Sequence, residues 1–510
     1  IFSNGFTQHK NPVETAFYNP PAEAKPWVLW YWMHSAVSKE GITADLEAMK
    51  SVGIEGAYLV CIYDTVNRIP FDKPARQLSP LWWEMVNHAF KECKRLELKL
   101  AFHVSDGFAL AGGPWIRPEQ SMQKLVWSKT YISSAHSGVI HLKQPAAKEN
   151  FYKDVAVFAY PANSSNNYQI NLPEPVVSTG TGADVSFLSK PGDDSKTFRS
   201  DTTCWIQYQY NEPFTLRSLK THTGGNNYQS QRLILQSGND GKNFKTIMRM
   251  QPPRHGWQDT DEDYTFSIPE TTATYFRFVY DKTGTEPGSE DLDAAKWKPT
   301  LKLKGLYLSD EPVINQIEAK NGSIWRVAEY TTSSMVSDSE VVPFNHIINL
   351  TDKMDADGRL NWQPASGNWV VVRIGHTSTG HVNATGGAAK GLECDKFSEE
   401  AIKFQYDNWF GKVYENTDPG LAEEVLKIFY IDSWEAGSQN WSANFLYEFK
   451  KRRGYDLLPY LLVMTGVPIE SVVKSEKILH DVRETIAELV NDIFYKTLRK
   501  LADEKGLKFT

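Results

Sequence analysis

Residues 426–441 read LKIFYIDSWEAGSQNW, and the fold is predicted outward from this stretch. Leu426, Ile428, Phe429, Tyr430 and Ile431 form an apolar run of the length of a buried strand in a parallel sheet. The run is followed by Asp432, Trp434 and Glu435. Asn440 is predicted to cap the next helix. Carboxylates at the carboxyl end of a buried parallel strand are typical of the reactive face of an α/β barrel.

The beginning of the chain alternates between apolar runs and amphipathic helices. The runs Trp27–Trp32, Ala57–Ile62 and Leu98–Val104 predict three buried strands. Between them, Ser38 and Ser79 precede helical patterns and are predicted N-caps. Strand–helix–strand repeats imply a parallel sheet, and three repeats in this length favour a (β/α)8 barrel over an open sheet.

The hydrophobic period changes from about Trp127, where short alternating stretches separated by Gly, Asn, Asp and Pro begin. This pattern indicates an all-β insertion, and Asn239-Asp240-Gly241 is typical of a hairpin turn. The predicted organisation is therefore a multidomain α/β protein with a barrel interrupted by a β-sandwich. Its segments are a lead-in (1–25), the first part of the barrel (26–127), a sandwich region of one or two modules (128–350) and the continued barrel (351–510).

The last segment is predicted to supply further barrel strands. Trp369–Ile374 is the predicted fourth strand, and Leu507–Thr510 is the start of another. Because a barrel cannot close around an unpaired edge, at least two βα units and the rest of the barrel are expected after Thr510.

Bulk properties exclude several classes of function. The formal net charge is −7, so a nucleic acid is not an expected partner. The chain lacks an apolar run of about 18 residues, so no membrane span is expected. Its four cysteines show no metal-ligand spacing. With 16 Trp, 23 Tyr and 25 Phe the chain is rich in aromatic rings, which suits a carbohydrate site.

Glycoside hydrolysis needs one carboxyl group that protonates the leaving oxygen and a second that activates water or attacks the sugar. Glu435 is the predicted acid, because an apolar neighbour such as Trp434 favours the protonated form of a carboxyl group. The structural alternative is a glutamate that caps the next helix or pairs with an arginine.

Other polar and aromatic side chains near predicted strand ends are candidate sugar contacts. Each also has a structural alternative, as a satisfied core residue or a helix start. Two acidic residues of GLECDK are in addition candidate metal ligands, because carboxylate oxygens favour Ca²⁺. The candidate substrate contacts are Trp30, Trp32, His103, Asp106, His376, His381, Glu393, Asp395, Asp432 and Trp434, and the candidate metal ligands are Glu393 and Asp395.

Several separated motifs, taken in order, resemble glycoside hydrolase family 106, the α-L-rhamnosidases. They are EGITADLEAMKSVGIEGA, LAFHVSDGF, INLTDKMDADGRLNW, GNWVVVRIGHTSTG, GLECDK and YIDSWEAG. Within the insertion, FRSDTTCWIQYQYNEPFTLRSLKT is similar to galactose-binding-like, discoidin-type sandwiches.

The resemblance implies an interrupted (β/α)8 barrel, Ca²⁺ dependence and inverting, exo-acting hydrolysis of terminal α-L-rhamnosides. It also implies plant pectic glycans of the rhamnogalacturonan type as substrate. The glutamate of the SWEAG segment is the family's general acid, which corresponds to Glu435 here. The family's general base corresponds to a position beyond Thr510. Since the chain begins at Ile1, a removed signal peptide fits, and a secreted, periplasmic or cell-surface bacterial protein is expected.

Two other functions fit the same residues. One is a non-catalytic carbohydrate-binding protein that uses the barrel as a scaffold. The other is a retaining glycosidase in which Glu435 works with Asp432 or Asp395, which requires carboxyl groups about 5–5.5 Å apart.

Overall fold

The computed structural model describes most of the chain and divides it into two compact units. Unit 1 comprises Ile1–Ser121, His381–Ala436 and Asp492–Thr510, and unit 2 comprises Met122–Gly380 and Gly437–Asn491. The described residues are 12–18, 20–21, 24–63, 71–108, 110–136, 138–162, 173–192, 195–225, 232–253, 262–283, 300–324, 332, 336–364 and 366–510.

Strands and helices are numbered along the chain. The strands are β1 (Trp27–Met33), β2 (Gly56–Ile62), β3 (Lys99–His103), β4 (Gly112–Gly113), β5 (Gln123–Ser133), β6 (Ile140–His141), β7 (Lys153–Pro161), β8 (Val176–Thr179), β9 (Phe198–Ser200), β10 (Cys204–Thr223), β11 (Ile234–Gly238), β12 (Lys245–Arg249), β13 (Tyr264–Tyr280), β14 (Leu301–Ser309), β15 (Ile348–Asn349), β16 (Arg359–Leu360), β17 (Asn368–Ser378), β18 (Leu392–Glu393), β19 (Leu426–Tyr430) and β20 (Lys508–Phe509). The helices are α1 (Pro12–Tyr18), α2 (Lys39–Ser51), α3 (Pro80–Leu96), α4 (Ile317–Lys320), α5 (Glu399–Asn408), α6 (Gly411–Asn416), α7 (Pro419–Val425), α8 (Phe445–Arg453), α9 (Val472–Leu489) and α10 (Lys496–Asp503), with a π-helical turn at Val490–Tyr495.

Unit 1 contains a parallel sheet whose strands follow one another in chain order, β1-β2-β3-β19-β20. Helices α2 and α3 connect the first three strands. Both begin at predicted caps, since Ser38 accepts a hydrogen bond from the Gly41 amide and Ser79 accepts one from the Trp82 amide. The multidomain α/β class and the strands around these helices are therefore confirmed.

Alternation along β1 decides which side chains face the helices. Trp30 and Trp32 are buried, and the register places Trp30 beside Leu59 of β2. Their neighbours Tyr31 and Met33 face the opposite side of the sheet and are exposed. The face that bears Tyr31 continues across the sheet to its strand-end side chains.

The described residues of unit 2 form two larger antiparallel sheets and a two-stranded one, β16-β6. One has the order β12-β11-β13-β10-β14-β9, with β8 paired to β10. Its buried core includes Tyr208, Tyr210, Phe276 and Phe278. The hairpin predicted at Asn239–Gly241 connects β11 and β12 as expected. The other sheet has the order β15-β7-β17-β5.

The prediction that Trp369–Ile374 is a barrel strand is wrong. These residues lie in β17, which pairs antiparallel with β5 and β7 in unit 2. An apolar run buried on both sides has the same composition in a parallel and an antiparallel sheet, so composition could not identify its partners.

Because this strand belongs to unit 2, the observed segment boundaries differ from the predicted ones. Unit 2 begins at Met122 rather than residue 128, and the chain returns to unit 1 at His381 rather than residue 351. Residues 437–491, predicted to be barrel, belong to unit 2. The predicted cap Asn440 is also wrong, because α8 begins after Asn444.

Among the described residues, no helix is long and apolar enough to cross a membrane. All four cysteines are buried, and none forms a disulfide bond.

Candidate active site

The candidate site lies where β19 ends, between β3 and β20 of the parallel sheet. The Asp432 carboxylate accepts a hydrogen bond from the Ser433 amide at 2.7 Å, and the Ser433 hydroxyl donates to Glu435 Oε1 at 3.1 Å. Both carboxylates are half-buried. Within the described part of the chain, neither carboxylate forms an ion pair. Glu435 is therefore positioned by a hydroxyl and is not neutralised by a cation.

Aromatic rings surround this turn. The Trp434 indole meets the Phe494 ring edge-on, with centroids 6.1 Å apart and planes at 80°. Tyr430, the last residue of β19, has its pKa raised by burial and by a hydrogen bond to Asp432. Burial and the charge of Asp432 likewise raise the pKa of Tyr31. Asp432 therefore lies among phenol groups that remain protonated at neutral pH.

His103 at the end of β3 is buried beside Tyr430, with ring centroids 5.3 Å apart. Its Nδ1 is 2.8 Å from the Ser105 carbonyl oxygen, which only a protonated Nδ1 can bond. Burial lowers the pKa of the ring, while Ser105, Asp432 and Glu393 oppose that effect. Among the described residues its Nε2 has no hydrogen-bond partner. A neutral His103 therefore presents Nε2 as an acceptor for a hydroxyl group.

Asp106 is occupied by its own chain rather than available to a substrate. Its Oδ2 accepts hydrogen bonds from the amides of Gly387 and Ala389 at 2.8 and 3.0 Å, and its Oδ1 accepts one from Gln77 at 3.1 Å. Burial raises the pKa of Asp106 to about 7, against the lowering effect of these donors. The predicted sugar contact is thus corrected to an anchor for the segment around Gly387.

Glu393 and Lys396 form an ion pair with 2.6 Å between Oε2 and Nζ, and both side chains are completely buried. Glu393 Oε2 also accepts a hydrogen bond from the Ala111 amide at 2.9 Å. Asp395 Oδ1 accepts one from the Phe397 amide at 2.8 Å.

These carboxylates do not fit Ca²⁺. The Lys396 ammonium already neutralises Glu393, and an added divalent ion beside it would be repelled. In the described part of the chain, no three His, Cys, Asp or Glu side chains cluster in a way that could hold a metal ion. The metal role predicted for Glu393 and Asp395 is corrected accordingly.

Trp30 and Trp32 do not line the strand-end site. The Trp30 indole donates to Asp45 of α2 at 3.0 Å, and the two indoles, 5% and 2% exposed, pack edge-to-face on the helix side of β1. The prediction that they contact sugar is wrong, because alternation along the strand directs them towards the helices.

The other two predicted histidines, His376 and His381, lie in different units. His376 is on β17 in unit 2, where its Nδ1 lies 2.6 Å from Gln123 Oε1. Burial and the charge of Lys153 lower its pKa to about 4. His381 is in unit 1, and its carbonyl oxygen accepts a hydrogen bond from the Glu393 amide at 2.9 Å. The structure therefore does not bring His376 together with Glu435 within one unit.

The sequence profile of glycoside hydrolase family 106, described as alpha-L-rhamnosidase, matches residues 18–510. The chain belongs to this family. The resemblance stated from the motifs is thus confirmed.

The chain is similar to two longer proteins. The chain is 27% identical over 512 residues to a putative beta-glucuronidase of Formosa agariphila, covering 100% of this chain and 31% of that protein. Its structure resembles the rhamnosidase of Novosphingobium sp. PP1Y with a TM-score of 0.78 and 28% identity, covering 98% of this chain and 47% of that one. The chain therefore spans less than half of either relative's length.

Sequence reasoning missed three side chains of this candidate site. Ser433 donates a hydrogen bond to Glu435, Tyr430 lies close enough to Asp432 for that carboxylate to affect its pKa, and Lys396 pairs with Glu393. The strand pattern contained a signal for Tyr430, because a strand's last residue before a polar turn lies at the reactive edge. No local signal marks Lys396, because Glu-Cys-Asp-Lys is equally typical of a solvated helix start.

Together, the residues at the ends of β3 and β19 supply complementary groups. Glu435 is a carboxyl group that no described cation neutralises, and His103 is a neutral acceptor. Next to them, burial and the nearby Asp432 carboxylate raise the pKa of Tyr430. This arrangement can transfer a proton at Glu435 and bind hydroxyl groups around it.

Proposed function

We propose that this chain provides the proton-donating part of an inverting, exo-acting α-L-rhamnosidase. The observation that carries the proposal is the position of Glu435 directly after β19 of a parallel sheet, in a chain that matches the rhamnosidase family over residues 18–510. In this proposal, the five sequential strands of unit 1 are the first five of a (β/α)8 barrel. The antiparallel sheets of unit 2 are then largely an insertion between β3 and β19 that includes a β-sandwich.

In the proposed reaction, the Glu435 carboxyl group donates its proton to the glycosidic oxygen as the bond to the anomeric carbon breaks. A second carboxylate accepts a proton from water, which attacks from the opposite face. Inversion requires about 6.5–9.5 Å between the two carboxyl groups. We place this base outside residues 1–510, in keeping with the family resemblance.

Rhamnose is the proposed sugar rather than glucuronic acid. Its 6-methyl group suits the aromatic side chain of Trp434, which packs on Phe494 one residue before Glu435, whereas a glucuronate carboxylate needs a cation. Lys396 cannot serve, because Glu393 neutralises it in a fully buried pair. The proposed natural source is pectic rhamnogalacturonan-type glycans, degraded by a secreted or periplasmic enzyme.

A calcium requirement stays a prediction of the resemblance. Because Glu393 and Asp395 do not fit the ion, no step is assigned to it. Activity measured with and without a chelator would check the prediction.

The test compares Glu435→Gln with Glu399→Gln in the full-length protein, because Glu399 is an exposed glutamate on α5. We expect Glu435→Gln to reduce hydrolysis of an alkyl or sugar α-L-rhamnoside by about 10²–10⁴-fold, with a smaller loss on p-nitrophenyl rhamnoside, whose leaving group needs less protonation. Glu399→Gln should match the parent protein. An unchanged rate on the natural glycoside would overturn the assignment of the acid.

Further measurements on the same protein separate the competing functions. Product NMR would show β-L-rhamnose first if inversion occurs and α-L-rhamnose if the enzyme retains configuration. Turnover of p-nitrophenyl β-D-glucuronide in place of the rhamnoside would contradict the proposed substrate. Binding of rhamnosides without any turnover would favour the carbohydrate-binding alternative.

A further inference from the structure

A π-helical turn, Val490–Tyr495, connects α9 to α10. Its hydrogen bonds span five residues instead of the four of an α-helix, so the turn accommodates one extra residue. Single π-helical turns within helices are rare, and they occur frequently at functional sites. The side chain that this turn redirects is therefore a candidate functional residue.

The extra residue moves the buried stripe of the helix by one position. Along α9 the stripe runs through Val482, Ile486 and Leu489. Steps of about 3.6 residues would bring Ile493 to the buried side next. Instead, Ile493 is half-buried and Phe494 is 0% exposed. The π turn thus directs the Phe494 ring into the interior of unit 1, to which this residue belongs.

Phe494 contacts the turn that carries the proposed acid. Its ring meets the Trp434 indole edge-on, with centroids 6.1 Å apart, and Trp434 immediately precedes Glu435. The Lys396 ammonium lies 5.2 Å from the centroid of the same ring. Lys396 is itself held by Glu393 in a fully buried ion pair. Because an edge-on aromatic pair and a cation near an aromatic ring are both attractive, two contacts fix the position of the Phe494 ring.

The turn after β19 depends on side-chain contacts for its shape, because residues 431–437 belong to neither a helix nor a strand. Within it, the Ser433 hydroxyl donates to Glu435 Oε1 at 3.1 Å, and the Trp434 indole packs on Phe494. The serine is exposed, whereas the phenylalanine is completely buried. The contact between Trp434 and Phe494 therefore ties the backbone next to Glu435 to the interior of unit 1.

We propose that Phe494 is a positioning residue for the acid Glu435. Placed by the π turn, Phe494 holds the Trp434 indole, and it thereby keeps the neighbouring carboxyl group directed towards the glycosidic oxygen. Because Phe494 has no exposed surface, it contacts no substrate and acts through Trp434. The inference rests on the proposed rhamnosidase function. The competing interpretation is that Phe494 only fills the core.

The test uses the leaving-group dependence of hydrolysis in the full-length protein. Protonation by an acid matters for methyl α-L-rhamnoside and much less for p-nitrophenyl α-L-rhamnoside, whose leaving group departs without it. A smaller amount of folded enzyme would lower both rates equally. Phe494→Leu removes the ring and keeps an apolar side chain in the core. Phe90→Leu is the matched control, because Phe90 on α3 is also 0% exposed and lies in unit 1.

We expect Phe494→Leu to lower kcat roughly 3- to 10-fold on the methyl glycoside and less than about 2-fold on the p-nitrophenyl glycoside, with KM unchanged. In a Trp434→Ala background, Phe494→Leu should cause no further loss, because both changes break the same contact. Phe90→Leu should keep the parental ratio of the two rates. A parental ratio in Phe494→Leu, or the same loss in the Trp434→Ala background, would overturn the proposal.

Hydrogen exchange separates this outcome from that of the proposed function. In deuterium exchange followed by mass spectrometry, a peptide that covers residues 431–437 should exchange faster in Phe494→Leu than in the parent or in Phe90→Leu. Unchanged exchange in that peptide would overturn the positioning role even if the protein hydrolyses rhamnosides. Faster exchange in a protein that hydrolyses no rhamnoside would refute the proposed function and retain Phe494 as the residue that holds the Glu435 turn.

Discussion

Lys396 Nζ lies 2.6 Å from Glu393 Oε2, and neither side chain has any exposed surface. The ammonium also donates to the Cys394 carbonyl oxygen at 3.0 Å and lies 5.2 Å from the centroid of the Phe494 ring. Burial lowers the pKa of Lys396, but the interactions with Cys394, Glu393 and Asp395 outweigh it and raise that pKa. Lys396 therefore stays protonated and links the segment after β18 to the Phe494 ring that packs against Trp434.

Removing one member of this pair should be far more harmful than removing both. We expect Lys396→Met to destabilise the protein by about 3–5 kcal/mol, because Glu393 would be left as an unpaired buried charge. The double variant Glu393→Gln, Lys396→Met should recover most of that loss, since glutamine still accepts from the Ala111 amide. Urea unfolding monitored by tryptophan fluorescence measures both midpoints.

Lys403→Met is the matched control for that comparison. Lys403 pairs with Glu399 at 2.6 Å on α5, with side chains 43% and 50% exposed. An exposed ion pair of this spacing contributes about 0.3–0.5 kcal/mol to stability. The urea midpoint of Lys403→Met should therefore be close to that of the parent protein. Equal losses for Lys396→Met and Lys403→Met would show that burial does not determine the strength of the first pair.

Asp106 should make stability depend on pH. Its pKa is about 7 in the folded protein, against an ordinary value of 3.8. Between these values the folded protein holds a proton that the unfolded chain has released, so stability falls as pH rises. The contribution is complete below about pH 4 and is lost by about pH 7, with a total of at most about 4 kcal/mol.

Asp106→Asn should remove this slope, because asparagine does not titrate and can still accept from the amides of Gly387 and Ala389. Urea midpoints between pH 4 and 8 would show a weaker pH dependence than in the parent. Asp407→Asn, at an exposed residue of α5, should keep the parental slope. A parental slope in Asp106→Asn would mean that the hydrogen bonds outweigh burial and keep the carboxylate ionised.

Local patterns predicted the elements well but not their partners. Ser38 and Ser79 cap helices as predicted, because capping depends on a few neighbouring residues. The run 369–374 is a strand as predicted, but its antiparallel pairing with β5 and β7 depends on residues more than two hundred positions away. Sheet partners follow from tertiary packing, which a single apolar run does not encode.

The candidate site was predictable where it follows directly from a strand end. Glu435 is at such a position and lies beside Ser433, as the spacing allows. Trp30 and Tyr31 could not be assigned to faces, because every residue of β1 is apolar or aromatic and alternation is invisible in such a run. Lys396 was missed because its burial depends on Phe494, almost a hundred residues later.

Ser433→Ala should impair the proposed proton transfer without unfolding the protein. The Ser433 hydroxyl donates to Glu435 Oε1 at 3.1 Å, and its side chain is otherwise exposed. Losing this hydrogen bond leaves the carboxyl group less well positioned, so we expect kcat on an unactivated α-L-rhamnoside to fall roughly 3- to 10-fold with little change in KM. Steady-state kinetics checks this. Ser51→Ala, which removes an exposed bond to Ala48 on α2, should match the parent, and a parental kcat in Ser433→Ala would exclude a positioning role.

The same substitution, asparagine to aspartate, should have different effects at the buried Asn440 and at the nearby, exposed Asn444. Asn440 is completely buried, its Oδ1 accepts from the Leu125 amide at 2.9 Å, and its Nδ2 donates to the Asn321 carbonyl oxygen at 3.0 Å. Asn440→Asp would turn this donor into a charged acceptor that faces another acceptor, and we expect about 3 kcal/mol of destabilisation.

Asn444→Asp places the same change at the exposed start of α8, where the side chain makes no capping bond. A negative charge at a helix N-terminus is favourable by about 0.3–1 kcal/mol, so this variant should equal or exceed the parent in stability. Urea midpoints at pH 7 compare the two. Similar shifts of the urea midpoint at both positions would contradict the assignment of Asn440 as a buried donor. Of the two side chains, only that of Asn440 donates to a carbonyl oxygen, which a carboxylate cannot bond.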